Sequence, residues 1–244
     1  MNKDNLLIEL GTEELPPKAL KKLATAFCQG FQVQLDAAEL KYSSIEWFAA
    51  PRRLALRVME LQGQQADKQV EKRGPAVKAA FDADGNPTKA AQGWARGCGI
   101  DVAEAERLKT DKGEWLLHKA TVTGKSLSEL VEGFIEKAIK QLPIPKPMRW
   151  GAGREEFIRP VHTLIALYGD QILPAQVLGL TSSNQSQGHR FHHRGLVTIA
   201  HADAYEETLK SAYVMVNYQE RQATISQQMR SICEEYKANT IEDA

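Results

Sequence analysis

Residues 188–195, GHRFHHRG, place three histidines and two arginines between two glycines. Three chemistries suit that composition: a metal site, a catalytic histidine with helpers, or a cationic loop that meets an anion. His189 and His192 stand three apart and would share a helical face, a spacing compatible with metal ligation. The bounding glycines leave little room for a helix, however, and no Cys, Asp or Glu lies within the stretch to complete a zinc ligand set. Nucleophilic catalysis has less support. The chain carries no G-x-S-x-G, no cysteine with a local histidine partner and no G-x-x-x-x-G-K-[ST] phosphate loop. The adjacent carboxylates Glu13-Glu14 and Glu155-Glu156 do not read as a working dyad, because neighbours point to opposite faces of a strand or diverge around a helix. For Glu13 and Glu14 the simpler expectation is an acidic helix N-terminus. No catalytic, cofactor-binding or metal-binding residue is therefore named, and the cationic loop is the reading carried forward.

Formal net charge is zero, with 31 basic and 31 acidic residues, so whole-molecule attraction to a polyanion is not indicated. The charges are unevenly spread. Residues 145–195 hold six cations (Lys146, Arg149, Arg154, Arg159, Arg190 and Arg194), three acids and four histidines, whereas residues 200–244 are net acidic. Arginine makes planar, bidentate contacts with phosphate, and Trp150 and Phe191 interleave as stacking surfaces. The candidate contacts to an anionic partner are thus Arg149, Trp150, Arg154, Arg159, His189, Arg190, His192, His193 and Arg194. The plainer alternative is that these arginines pair with the protein's own acids. Arg52-Arg53 and Lys72-Arg73 carry the same ambiguity, while Trp47, Trp94 and Trp115 read as core residues.

The elements that must position these groups alternate without a steady βαβ rhythm. Residues 6–10 form a short apolar strand ended by Gly11, and a proline-led helix follows with Leu20, Leu23, Ala24, Phe27, Phe31 and Leu35 on one face. Residues 44–50 and 54–61 read as strands, residues 62–86 as a loose polar stretch, and residues 89–96 as a short helix. A strand at 115–122 precedes a capping box, Ser126 with Glu129, which opens a helix to Leu142. Residues 163–180 suggest a hairpin, and helices at 203–211 and 219–236 flank a short strand at 212–216. The fold class expected is α+β, with mixed, mainly antiparallel sheets and packed helices in one large or two small lobes. The division is expected at 1–142 and 143–244, the second lobe carrying the basic segment. The last helix presents Ile225, Met229, Ile232, Cys233 and Tyr236 on one face before the sequence stops at Glu242-Asp243-Ala244, the pattern of a longer protein's front portion. Scattered Cys28, Cys98 and Cys233, with no signal peptide and no long apolar run, fit a soluble cytoplasmic protein and no membrane partner.

Several strings also carry a resemblance. LLIELGTEELPPKAL (6–20), WFAAPRRLALRV (47–58), EKRGPAVKAAFD (71–82), AAQGWARGCGI (90–100), TDKGEWL (110–116), LPIPKPMRWG (142–151), FIRPVH (157–162) and GHRFHH (188–193) stand in order along nearly the whole chain. In them the chain resembles the amino-terminal portion of the glycyl-tRNA synthetase β subunit of the bacterial heterotetrameric type. That resemblance implies an aminoacyl-tRNA synthetase subunit that binds tRNA-Gly while an α subunit holds the class II catalytic core. ATP and Mg would be used through the α subunit, and a second β subunit would complete an α2β2 assembly. The HD-like and anticodon-binding domains of such subunits would lie beyond this sequence. The amino-terminal part would be similar to body and tail modules of archaeal CCA-adding enzymes, which favours contact with the tRNA acceptor arm. A subunit-interface scaffold without direct tRNA contact is the alternative.

Overall fold

The computed structural model of the protein describes residues 2–82, 84–111 and 113–239; the chain end read above, Glu242–Ala244, lies outside them. Its first elements are β1 (Lys3–Thr12), α1 (Pro17–Ala37), β2 (Ser44–Ala50) and β3 (Arg53–Gln62). Then come β4 (Lys68–Ala76), α2 (Val77–Ala80), α3 (Lys89–Cys98), β5 (Glu106–Thr110), β6 (Gly113–Val122) and α4 (Leu127–Lys140). Short strands follow: β7 (Met148–Arg149), β8 (Glu156–Phe157), the longer β9 (Val161–Tyr168), β10 (Gln171–Ile172), β11 (Gln176–Val177) and β12 (Leu180–Thr181). The chain continues through β13 (Gln185–Gln187), β14 (Leu196–Thr198), α5 (Tyr205–Ser211) and α6 (Tyr218–Tyr236). Among the described residues every pairing between these strands is antiparallel, the lone parallel bridge being Ile165 with Ser183, so the α+β class stands.

The chain forms two compact units, residues 1–65 with 125–244 and residues 66–124. This differs from the division expected after Leu142, which falls inside the first unit. The reason is long-range pairing: β1 lies between β3 and β9 in a sheet of order β10-β9-β1-β3-β2, which ties the first residues to residues 161–168. Likewise α1 packs on α4, with Phe31 and Phe134 edge-to-face at 5.9 Å.

Both faces of that sheet are covered. Alternation along β1 sends Leu6, Ile8 and Leu10 into the core under α1 and α4. Leu7 faces the opposite core, where Phe48, Ile165, Leu167, Tyr205 and Leu209 meet. Helix α1 buries the expected stripe, Leu20, Leu23, Ala24, Phe27, Phe31 and Leu35. The Ser126–Glu129 capping box forms, with Glu129 accepting the Ser126 N–H at 2.7 Å.

Three local expectations change. Gly11 does not end its strand: β1 runs to Thr12, and a Cβ on Gly11 would come within 2.0 Å of Thr163 Oγ1 on β9, so close strand approach explains the glycine. Residues 212–216 form a turn and an extended segment rather than a strand, and Ala49 N–H donates to the Val216 carbonyl at 3.1 Å. In the second unit, β4 occupies part of the stretch read as loose, pairing with β6 in a sheet of order β4-β6-β5. There Arg73 lies 3.8 Å over the Trp115 ring, and a Cβ on Gly74 would meet the Trp94 ring at 2.7 Å.

Candidate nucleic-acid interface

Residues 188–195 connect β13 to β14, whose last pair is Gln187 with Leu196. The loop is fixed by its own first histidine. His189 N–H donates to the Ala212 carbonyl at 2.9 Å, and the His193 N–H donates to the His189 carbonyl at 3.0 Å. His189 Nδ1 accepts from the N–H groups of Phe191 and His192, both at 3.2 Å, which places that ring's proton on Nε2. His189 and His192 face each other as rings 4.5 Å apart and tilted by 33°, a stacked arrangement rather than two converging ligands. Among the described residues no group of three or more His, Cys, Asp or Glu gathers as a metal-holding set. Gly188 is required sterically, since a Cβ there would stand 2.5 Å from the His193 ring.

Beneath the loop lies a buried charge that the sequence reading passed over. Glu9 shares the face of Leu7 on β1 and is fully buried. Its carboxylate accepts from the Tyr205 hydroxyl at 2.5 Å and from the Ser186 hydroxyl, and pairs with Arg53 Nη1 at 3.3 Å. Arg53, itself buried, also donates from Nη1 to Ser186 Oγ at 2.9 Å and from Nη2 to the Gln187 carbonyl. One guanidinium thus links β1, β3 and the residue at which the loop begins. Burial, followed by the nearby Glu9 charge, pushes the Tyr205 hydroxyl well above its usual pKa, so it stays a donor. A signal existed: a charge in the middle of an apolar run, at an inward position by period-two alternation.

At the rim, Glu13 joins Arg52 and His162 instead of capping a helix. It accepts from His162 Nε2 at 3.0 Å and from Arg52 Nη2 at 3.0 Å, and α1 has no acid in its first turn. The His162 hydrogen bond, then the charge of Arg52, holds the Glu13 carboxyl below its ordinary range; Arg190 adds in the same direction. Arg159 Nε donates to the Glu14 carbonyl at 3.1 Å and Nη1 to the Ile158 carbonyl at 2.9 Å, so Arg159 binds backbone as well as facing the rim.

The nine candidates separate into groups. Arg190, His192 and Arg194 are exposed on the loop, where Phe191, outside the nine, is exposed beside them; His189 and His193 are half-buried at its base, and Arg159 lines a cleft together with Arg190. Arg149, Trp150 and Arg154 line none of the clefts beside the loop. Arg149 pairs with Glu156 at 2.6 Å across β7 and β8, Trp150 packs against the core under α1 and α4, and Arg154 is exposed beyond the Gly151–Gly153 turn. Arg52 enters the loop's surroundings unannounced, although Arg52-Arg53 was a visible basic pair.

Fold and loop together define an α+β module that presents exposed cations and an aromatic tip at one end of a doubly covered antiparallel sheet. A family profile described as glycyl-tRNA synthetase beta subunit matches residues 6–244, and the chain belongs to that family. Among its relatives are proteins named glycine–tRNA ligase beta subunit. That of Alteromonas mediterranea is 61% identical over 94% of this chain and 33% of its own length. That of Pseudoalteromonas translucida is 58% identical over 95% of this chain and 34% of its own. That of Colwellia psychrerythraea is 57% identical over 100% and 35%. The chain spans about a third of the length of these relatives. No helix among the described residues is long and apolar enough to cross a membrane.

Proposed function

We propose that this chain is the amino-terminal, tRNA-contacting and non-catalytic part of a glycine–tRNA ligase β subunit. In this reading it supports ATP-dependent attachment of glycine to tRNA-Gly in the cytoplasm. Catalysis, with ATP and Mg, resides in the α subunit of an assembly that contains a second β subunit. The observation that carries the RNA contact is the loop 188–195: Arg190, Phe191, His192 and Arg194 face solvent on a backbone anchored through Arg53 to the buried Glu9. Among the described residues neither Arg190 nor Arg194 makes an ion pair within 4 Å; Arg190 acts on Glu13 only at longer range and lies beside the Phe191 ring, so both can meet an external anion. Phosphate contacts of this type position RNA and weaken with salt. In the full heterotetramer, the double substitution R190E/R194E is expected to lower tRNA-Gly affinity. Unchanged affinity with the fold intact overturns the reading.

A second reading, a scaffold that holds the α subunit or other β domains, is favoured by one feature. Helix α6 buries no residue and exposes Ile225, Met229, Ile232 and Tyr236 along one side, the composition of an interface. Retention of isolated α subunit by this chain without RNA supports the scaffold; loss of tRNA binding by R190E/R194E with the assembly intact supports direct contact.

A further inference from the structure

Beside the loop, the turn between β2 and β3 leaves a notch of about 190 Å³, walled by Ala50, Pro51, Val214 and Phe191, with Arg52 and Arg190 at its edge. Sharing Arg52, Gly188 and Arg190 with it is a second, more open cleft to which His193 contributes. One hollow is apolar and the other cationic, and they adjoin. Phe191 is 80% exposed, with the Arg190 guanidinium 5.7 Å from its ring centroid and the His189 ring 6.2 Å away at a 55° tilt, so most of the ring is open to stacking. Arg190 makes no ion pair among the described residues, and Arg52 engages Glu13 through Nη2 while its buried Nε has no partner.

We infer that the two hollows together take one unstacked nucleotide of single-stranded RNA. The base sits in the apolar notch against Pro51 and Phe191, and its phosphate meets Arg52, Arg190 and His193. This rests on the reading of the loop as an RNA contact and deepens it. Stacking on an exposed aromatic with a cation beside it is how unpaired bases are held, whereas a paired base in an A-form duplex offers no free face. Glu14 also lines the notch, and its carboxylate has no hydrogen bond or ion pair among the described residues. A carboxylate there accepts from an exocyclic amino group, which favours adenine, cytosine or guanine over uracil, the one base without such a group.

The test uses the full heterotetramer and three probes: short oligo(A), short oligo(U) and a blunt RNA duplex. F191A is expected to weaken oligo(A) about five- to 150-fold, the effect of losing one stacked base, while F191W retains binding and the duplex is unaffected. E14A is expected to narrow the preference for oligo(A) over oligo(U). Equal weakening of oligo(A) and duplex by F191A, or no change in either, overturns the nucleotide site. If R190E/R194E abolishes tRNA binding while F191A leaves oligo(A) unchanged, the RNA contact stands and the notch fails. Free AMP binding as tightly as oligo(A), with the same dependence on Phe191, assigns the site to a mononucleotide and overturns the RNA occupant.

Discussion

Replacing Glu9 by glutamine strips Arg53 of its counter-charge in a place water does not reach. The Arg53 side chain is 4% exposed and that of Glu9 0%. The Tyr205 and Ser186 hydroxyls donate to different carboxylate oxygens, so in the glutamine variant one of them would keep a neutral amide oxygen and the other would face an NH2 that cannot accept. Breaking a buried pair by removing one partner costs about 3–5 kcal/mol, because the remaining charge stays uncompensated. At about 2–4 °C per kcal/mol for a domain of 150–250 residues, that is a fall in Tm of roughly 6–20 °C. Urea unfolding followed by circular dichroism measures the change, and the slope m is expected to stay constant because the exposed area is nearly unchanged. The double replacement E9L/R53M removes both charges and is expected to recover part of the loss, because apolar substitutes for a buried pair are often neutral while the Tyr205 and Ser186 hydroxyls and the Gln187 carbonyl lose their partners. Arg53 also donates to the Gln187 carbonyl, so E9Q should increase amide exchange in residues 188–195. A cost of E9Q under about 1 kcal/mol, or a double variant no better than the single, refutes the account of this cluster.

Other consequences follow from the same contacts. Glu13 has its pKa depressed in the folded state, first by the His162 hydrogen bond and then by the Arg52 charge. Its stabilising contribution is therefore complete above the ordinary carboxylate value of 4.5 and is lost as pH falls through the lower folded value. E13Q should flatten the acid limb of a stability–pH curve. Burial, followed by the Glu46 charge, pushes the Cys28 thiol up to about 11, so thiol reagents at mildly alkaline pH should label half-exposed Cys98 and Cys233 first. Labelling of Cys28 at the rate of the other two in the folded protein contradicts that burial. G188A forces the His193 ring to move and is expected to disorder the loop while leaving the cores intact, seen as faster amide exchange at 188–195 without a matching loss of Tm.

Local order was legible wherever periodicity and capping chemistry act within one segment. The α1 stripe and the Ser126–Glu129 box are examples, and the loop's composition alone marked it as cationic. Strand β4 was not legible, because its outward residues are polar and Gly74-Pro75 resembles turn punctuation. The unit division depends on β1 pairing with a strand more than a hundred residues away, which no local pattern encodes. In the site, Arg53 looked like any surface cation because its partners Glu9 and Ser186 lie 44 and 133 residues from it. Only Glu9 itself carried a local hint, a charge at an inward strand position.

The central claim is that residues 188–195 meet the phosphates of tRNA. The most direct measurement is the dependence of tRNA-Gly affinity on salt for the full heterotetramer and its R190E/R194E variant. Each phosphate contact contributes about 0.7–0.9 to the slope of log K against log salt, the lower figure for a single strand, so losing two lowers its magnitude by about 1.5, together with weaker binding throughout. Superimposable salt curves for the two proteins, with assembly and fold unchanged, contradict it.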